Sequence, residues 1–377
     1  MSDFYLVVKS SLESGAKPLA EMGLSADVTT LRYTTNANGF GDLDVGMDGG
    51  IPYPIAGYLP QPINLPLRAH VELWYGSANT YQGRVIRRQR GPGGLFTGFA
   101  AQGYWSALND GWLNSSSTVD ITSGDALIAA LAAAAPYIRV GNDEQFIDPG
   151  ITHVDGLSEW RYMTPGEMAD QIIKEGNSSG QMVDIAVWDG PRLWCLPRVA
   201  PDVPTYRIGF DPSVVSWEDD CSRMVSHLVV QYGNSSLTSE AETADFADRH
   251  GFTSRMFIPG GSITLAAAQA FRNSELTARA QPDVTAMLSL VDGEGLREVS
   301  GTERPPELVR SLDWVQVGDE PLQPIVGTVF DATARTLSVE LGNPSPYLPR
   351  NNNIRELTAV AKLMRGIDPV SGGKARS

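Results

Sequence analysis

A chain of 377 residues with 42% hydrophobic content is long enough for two or three packed domains of ordinary size. Only 19% of residues are charged, and 29 Lys plus Arg against 44 Asp plus Glu leave a net charge of −15. This balance excludes tight sequence-independent capture of nucleic acid, which needs clustered cations to displace counterions.

Residues 1–118 read as all-β. Phe4, Leu6 and Val8 alternate, Val28 to Thr34 is a β-branched and aromatic run, and Val71, Leu73 and Tyr75 alternate with Glu72 and Trp74. Arg84 to Arg88 and Leu95 to Ala101 add further strands, with Gly91-Pro-Gly-Gly94 between them as a hairpin loop; short strands separated by turn formers mean a barrel or sandwich. Pro52, Pro54, Pro60, Pro62 and Pro66 predict a long surface loop, since proline cannot continue a central ladder.

The stretch 119–214 reads as an α+β lobe. Ser123 is the expected N-cap of a helix through the alanines to Ala135, stopped by Pro136. Thr164 with Pro165 and Glu167 forms a capping box, and Gly176 ends the second helix. Met182 to Trp188 and Arg192 to Leu196 flank Asp189-Gly190, a tight-hairpin dipeptide.

From 215 to 345 the β pattern returns in Ser226 to Tyr232, Val284 to Leu290, Trp314 to Val317, Ile325 to Phe330 and Thr336 to Leu341, with an inserted helix from Thr264 to about Ala280 closed by Pro282. Residues 346–377 are expected to hold a short helix, Ile354 to Met364, and a flexible tail. The segment Ala69 to Gly76 matches Ser226 to Gly233, and Gln82 to Ile86 matches Val326 to Phe330 in the same order; these pairs predict a diverged internal duplication. The fold class is therefore mainly β with α+β insertions.

The sequence offers chemistry in several places and supports it in none. Cys195 and Cys221 have no metal spacing and read as core residues. Gly176-Asn-Ser178-Ser-Gly180 matches the serine-hydrolase string, but it follows a helix and precedes a strand, the reverse of a nucleophile elbow. His70, His153, His227 and His250 are scattered, with no local metal motif. Asp42, Asp44 and Asp48 fail the calcium-loop pattern at Gly46 and Tyr53 and read as a solvated loop. The basic run Arg84, Arg87, Arg88 and Arg90 reads as a charged edge strand, with an acid-binding edge for a partner's carboxylates or a nucleic-acid backbone as the alternative, and Glu218, Asp219 and Asp220 read as a solvated turn. Asn114, Asn177 and Asn234 open Asn-x-Ser triplets, but the start of the chain has no leader-like pattern, so no glycosylation and no membrane anchor are expected.

Gly39-Phe-Gly-Asp-Leu-Asp44, Tyr81-Gln-Gly-Arg-Val-Ile86 and Ala100-Ala-Gln-Gly103-Tyr104-Trp-Ser-Ala-Leu108, followed by the lobe, the Trp188-Asp-Gly hairpin and Tyr206-Arg-Ile208, stand in an order that resembles the tail hub proteins of tailed bacteriophages. The resemblance implies two related β-barrel domains, 1–118 and 215–345, with a helix-containing lobe between them. It further implies a homotrimer at the tail tip or baseplate of the virion that adapts a sixfold tube to a threefold tip. The implied partners are the distal tail protein ring, the tape measure protein, and spike, fibre or receptor-binding proteins, with genome DNA only in transit through the channel. No catalytic, cofactor-binding or metal-ligating residue is assigned, no cofactor is implied, and without a C-terminal extension no wall-degrading activity is expected. The competing expectations are a hexameric distal tail ring protein, or a carbohydrate-binding or hydrolytic β protein using Trp105, Trp112 and Trp160.

Overall fold

The computed structural model describes residues 4–9, 18–23, 28–47, 67–91, 96–114, 120–140, 147–153, 157, 160–179, 181–209, 214–222, 224–233, 236–238, 241–242, 251, 253–258, 263–279, 283–291 and 296–342. The proline-crowded stretch, Asp48, His250, Asn234 and the expected helix at 354–364 with its tail lie outside the described residues.

The first seven strands are β1 (Phe4–Lys9), β2 (Pro18–Gly23), β3 (Val28–Asn36), β4 (Gly39–Met47), β5 (His70–Tyr75), β6 (Ala78–Arg90) and β7 (Phe96–Gln102). In β3, Val28, Leu31, Tyr33 and Thr35 turn inward, while β4 buries Phe40, Leu43, Val45 and Met47. The solvated loop expected around Asp42 and Asp44 is thus a strand. Its inward residues alternate with Asp and Gly, which face away from the core and disguise the period of two.

The lobe follows a 3-10 turn, Tyr104–Asn109, and contains β8 (Ile121–Thr122), α1 (Ser123–Ala134), β9 (Arg139–Val140), β10 (Thr152–His153), α2 (Pro165–Glu175), β11 (Val183–Trp188) and β12 (Arg192–Pro197). The capping box of α2 is complete: Thr164 Oγ1 accepts from the Glu167 amide at 3.1 Å and Glu167 Oε2 accepts from the Thr164 amide at 2.8 Å. The cap of α1 is Thr122 rather than Ser123, since Thr122 Oγ1 accepts from the Asp125 amide. Ser123 is fully buried and bonds both backbone groups of Ile151 instead. In the β11–β12 hairpin only Gly190 carries a positive φ, 76°, and three residues separate the paired Trp188 and Arg192. Trp160, Leu127, Leu131, Met168, Ile172, Val187, Leu193 and Cys195 belong to one apolar cluster that holds the lobe together.

The remaining elements are β13 (Tyr206–Ile208), β14 (Val214–Asp220), β15 (His227–Tyr232), β16 (Ser236–Leu237), β17 (Ala241–Glu242), β18 (Ser254–Phe257), α3 (Leu265–Ala278), β19 (Asp283–Leu290), β20 (Leu296–Arg297), β21 (Glu303–Arg304), β22 (Trp314–Val317), β23 (Gln323–Asp331) and β24 (Thr336–Gly342). A large sheet runs β14-β19-β24-β23-β3-β4-β7-β6-β5-β1-β2, with β22 also paired to β23. Leu6, Leu31, Leu43, Leu73, Leu288, Val315, Phe330 and Val339 lie in its continuous apolar core. Each such side chain contributes about 1.5–3 kcal/mol on burial.

This sheet contains the same five-strand arrangement twice. In the first half the order is β3-β4-β7-β6-β5, in the second β14-β19-β24-β23-β22, every neighbouring pair being antiparallel. Chain order agrees as well: the two strands at one end of each set come first, then the other three, starting from the far end. One local irregularity coincides: β6 breaks register with β7 between Val85 and Arg87, and β23 breaks register with β24 between Ile325 and Gly327. Val85 exchanges backbone bonds with Arg68 and Ala69, and Ile325 does so with Leu312 and Asp313. Arg68 and Leu312 both take the left-handed conformation, φ 67° and 75°, which non-glycine residues seldom adopt.

The duplication therefore equates β6 with β23, as the sequence match implies, but equates β5 with β22. The matched β15 sits in a separate small sheet with β16, β17 and β18. The sequence match of β6 and β23 is also displaced, since Val85 corresponds to Ile325 once the bulges are superposed.

Candidate assembly interface

The two halves of the large sheet meet where β23 lies antiparallel to β3, with Gly327 opposite Asn36, Thr328 opposite Thr35, Val329 opposite Thr34, Phe330 opposite Tyr33 and Asp331 opposite Arg32. This junction is well knit. Thr35 and Thr328 share a buried hydroxyl bond of 2.7 Å, the Ser311 amide donates to Thr35 Oγ1 at 3.1 Å, and the Tyr33 hydroxyl donates to the Glu307 carbonyl at 2.7 Å. The rings of Tyr33 and Phe330 lie 5.4 Å apart in a tilted arrangement, a favoured aromatic geometry. Burial pushes the Tyr33 phenol well above its ordinary range, so it stays a donor.

The equivalent strands of the other halves end differently. On one side β6 is covered by β5 only as far as Arg84, and from Arg87 to Arg90 its described strand partner is β7 alone. At the end of the sheet, β14 pairs with β19 and with no other strand among the described residues. Among the described residues the basic run is thus interior to the sheet over its first part and an edge over its last. Arg84 is a half-buried member of an ion pair with Asp110, whereas Arg87 is exposed and 3.8 Å from Asp44. The Arg84 guanidinium, together with a 2.8 Å bond from Tyr137, holds the Asp110 carboxyl below its usual range. Glu218, Asp219 and Asp220 form the end of β14 rather than a turn, all three exposed.

Other polar groups are internal supports. His70 Nδ1 lies 2.7 Å from the Tyr104 hydroxyl and Nε2 lies 2.8 Å from Glu72 Oε1, which also accepts from Lys9 Nζ at 2.8 Å. Trp74 Nε1 donates to the second Glu72 oxygen at 3.2 Å. Burial works against ionisation of Glu72, but the bonds from His70 and Lys9 prevail and hold its pKa down to about 2. This cluster ties β1 to β5 and β5 to the 3-10 turn that enters the lobe.

The remaining candidates from the sequence do not converge. His153 is fully buried, 3.2 Å from Glu175 and against the Trp160 ring; His227 lies in the small sheet beside Ser226. Ser178 sits exposed in the helix-to-strand turn, whose backbone is organised by the buried Asn177 through the amides of Ser179 and Gln181. Cys195 is buried, which pushes its thiol up to about 12, while Cys221 is exposed, contrary to the expected core position. Of the three tryptophans weighed for sugar binding, Trp112 is exposed, Trp105 packs on the lobe core and Trp160 is completely buried. Among the described residues no group of His, Cys, Asp or Glu gathers at metal-binding distances, and no helix is long and apolar enough to cross a membrane.

Three solved structures have this architecture along nearly their whole length. The prophage tail protein gp18 from Listeria monocytogenes superposes with a TM-score of 0.58 at 11% identity, covering 97% of this chain and 100% of that one. The tail protein from Neisseria meningitidis gives 0.57 at 10% identity over 91% and 96%, and the 43 kDa tail protein of prophage MuSo2 from Shewanella oneidensis gives 0.56 at 12% over 91% and 99%. The fold is that of prophage tail proteins. No family model matches the sequence, and no curated protein matches it. At 10–12% identity the likeness is one of backbone fold.

Proposed function

We propose that this chain is a structural hub of a phage tail tip, a homotrimer that adapts a sixfold tail tube to a threefold tip. The observation that carries this reading is the duplicated five-strand unit in a chain whose fold matches prophage tail proteins end to end. Three copies of a chain with two alike units present six similar surfaces, so a threefold body can meet a sixfold ring without a symmetry gap. On this reading each unit curls into a barrel, one face of the ring receives the distal tail protein, the tape measure protein ends at its centre, and spike or receptor-binding parts attach beyond. The surplus of acidic groups, a net charge of −15, suits a channel wall that genome DNA slides past, since a wall of like charge does not hold phosphates. The role is architectural rather than catalytic.

The test is the native mass of the purified chain across a wide concentration range. A species at three times 40.6 kDa is expected. Six copies would favour a distal ring protein, and a monomer at every concentration would contradict the hub.

A further inference from the structure

The molecule contains one completed junction between its two alike halves, β23 on β3, and both separate halves of a second. The duplication equates β6 with β23 and β14 with β3, so the end of β6 and the edge of β14 are the strands that correspond to a formed contact. Among the described residues they are not paired with each other. A second copy can add a strand to each.

The register is fixed by tracing one line of paired residues across each half. In the first it runs Val85, Ala101, Leu43, Tyr33, and in the second Ile325, Leu341, Ala286, Trp217. Counting along the strands from these anchors, Arg87 to Arg90 take the places of Gly327 to Phe330, and Trp217 to Asp220 take the places of Tyr33 to Asn36. Transferring the observed register then puts Arg87 opposite Asp220, Arg88 opposite Asp219, Gln89 opposite Glu218 and Arg90 opposite Trp217. Every one of these four pairs is complementary. Two are ion pairs, one is an amide against a carboxylate, and one is a guanidinium against an indole ring, where the completed junction has Phe330 against Tyr33.

We propose that the end of β6 in one copy adds antiparallel to β14 of the next, with Arg87 and Arg88 paired to Asp220 and Asp219, closing a head-to-tail ring of identical chains. This deepens the hub reading and rests on it for the ring's place in a tail. The contact is heterologous, so its repetition closes or extends depending on the rotation per copy. The internal junction already sets that rotation, because the external one copies it. The polar character of the external junction also separates it from the internal one: the hydroxyl pair Thr35–Thr328 and the ion pairs do not interchange, so β6 does not compete for β3.

The experiment measures native mass for the full-length wild type, for Arg87→Glu with Arg88→Glu, for Asp219→Lys with Asp220→Lys, and for the chain carrying all four changes. Circular dichroism checks that each variant is folded. Each charge-reversed pair is expected to weaken association by roughly a hundredfold or more, leaving folded chains at 40.6 kDa, and the four-fold exchange to restore the assembly. A wild-type ring that survives both reversals overturns the junction and leaves the hub standing. Folded four-fold variants that remain dissociated overturn the specific pairing, and a wild type that never associates overturns the ring and the hub together.

Discussion

At Glu72 three donors converge on one carboxylate: Lys9, His70 and Trp74. Because its folded pKa lies near 2, below the ordinary carboxyl value near 4, the stabilisation is complete above the ordinary value and is lost as pH falls toward 2. Glu72→Gln is expected to lower stability by about 1–3 kcal/mol at neutral pH. The difference from wild type should shrink when denaturant midpoints are compared at pH 7, 4 and 3. A difference that does not change with pH would show that the charge is not what matters. None of this cluster was legible in the sequence, where Glu72 is one polar residue alternating with apolar ones. Its partners come from β1, from β5 itself and from the 3-10 turn, so only the fold brings them together.

Among the elements, α2 is the one whose sequence dictated its structure most completely, since the cap, the first-turn proline and the terminal glycine are all local. Thr164→Ala removes the acceptor for the Glu167 amide and a 2.8 Å bond to Asn109. It is expected to cost about 1–2 kcal/mol, read as a lower thermal midpoint with the native mass unchanged. Strand β4 is the opposite case. Its acidic and glycine residues look like a turn, yet Gly39 is required for another reason: its φ is 119°, and a side chain there would collide with the Val187 carbonyl where the lobe's β11 bridges to the sheet. Gly39→Ala is expected to lose about 2 kcal/mol or more and to loosen the lobe from the sheet, visible as faster amide exchange in β11. Retained protection there would contradict the role given to this bridge.

For the whole molecule, the mainly β class and the helix-containing lobe were legible because hydrophobic period and caps are local signals. The duplication was half legible. The sequence match found β6 and β23 but took β15 for β22, because strand composition is narrow and the true equivalence lies in bulges and left-handed corners that many residue types can occupy. The charge runs at 87–90 and 218–220 were visible singly, as an edge and a turn, but their complementarity emerges only when the completed junction is laid over the incomplete one. The proposed assembly is a ring of copies in which each contact between chains imitates the contact inside a chain. An electron-microscopy reconstruction of the assembled wild-type protein tests it most directly. The expected result is three chains around one axis, six alike β units, and β6 of each copy lying antiparallel to β14 of the next. A reconstruction in which these two strands face solvent, or meet some other surface, would contradict it.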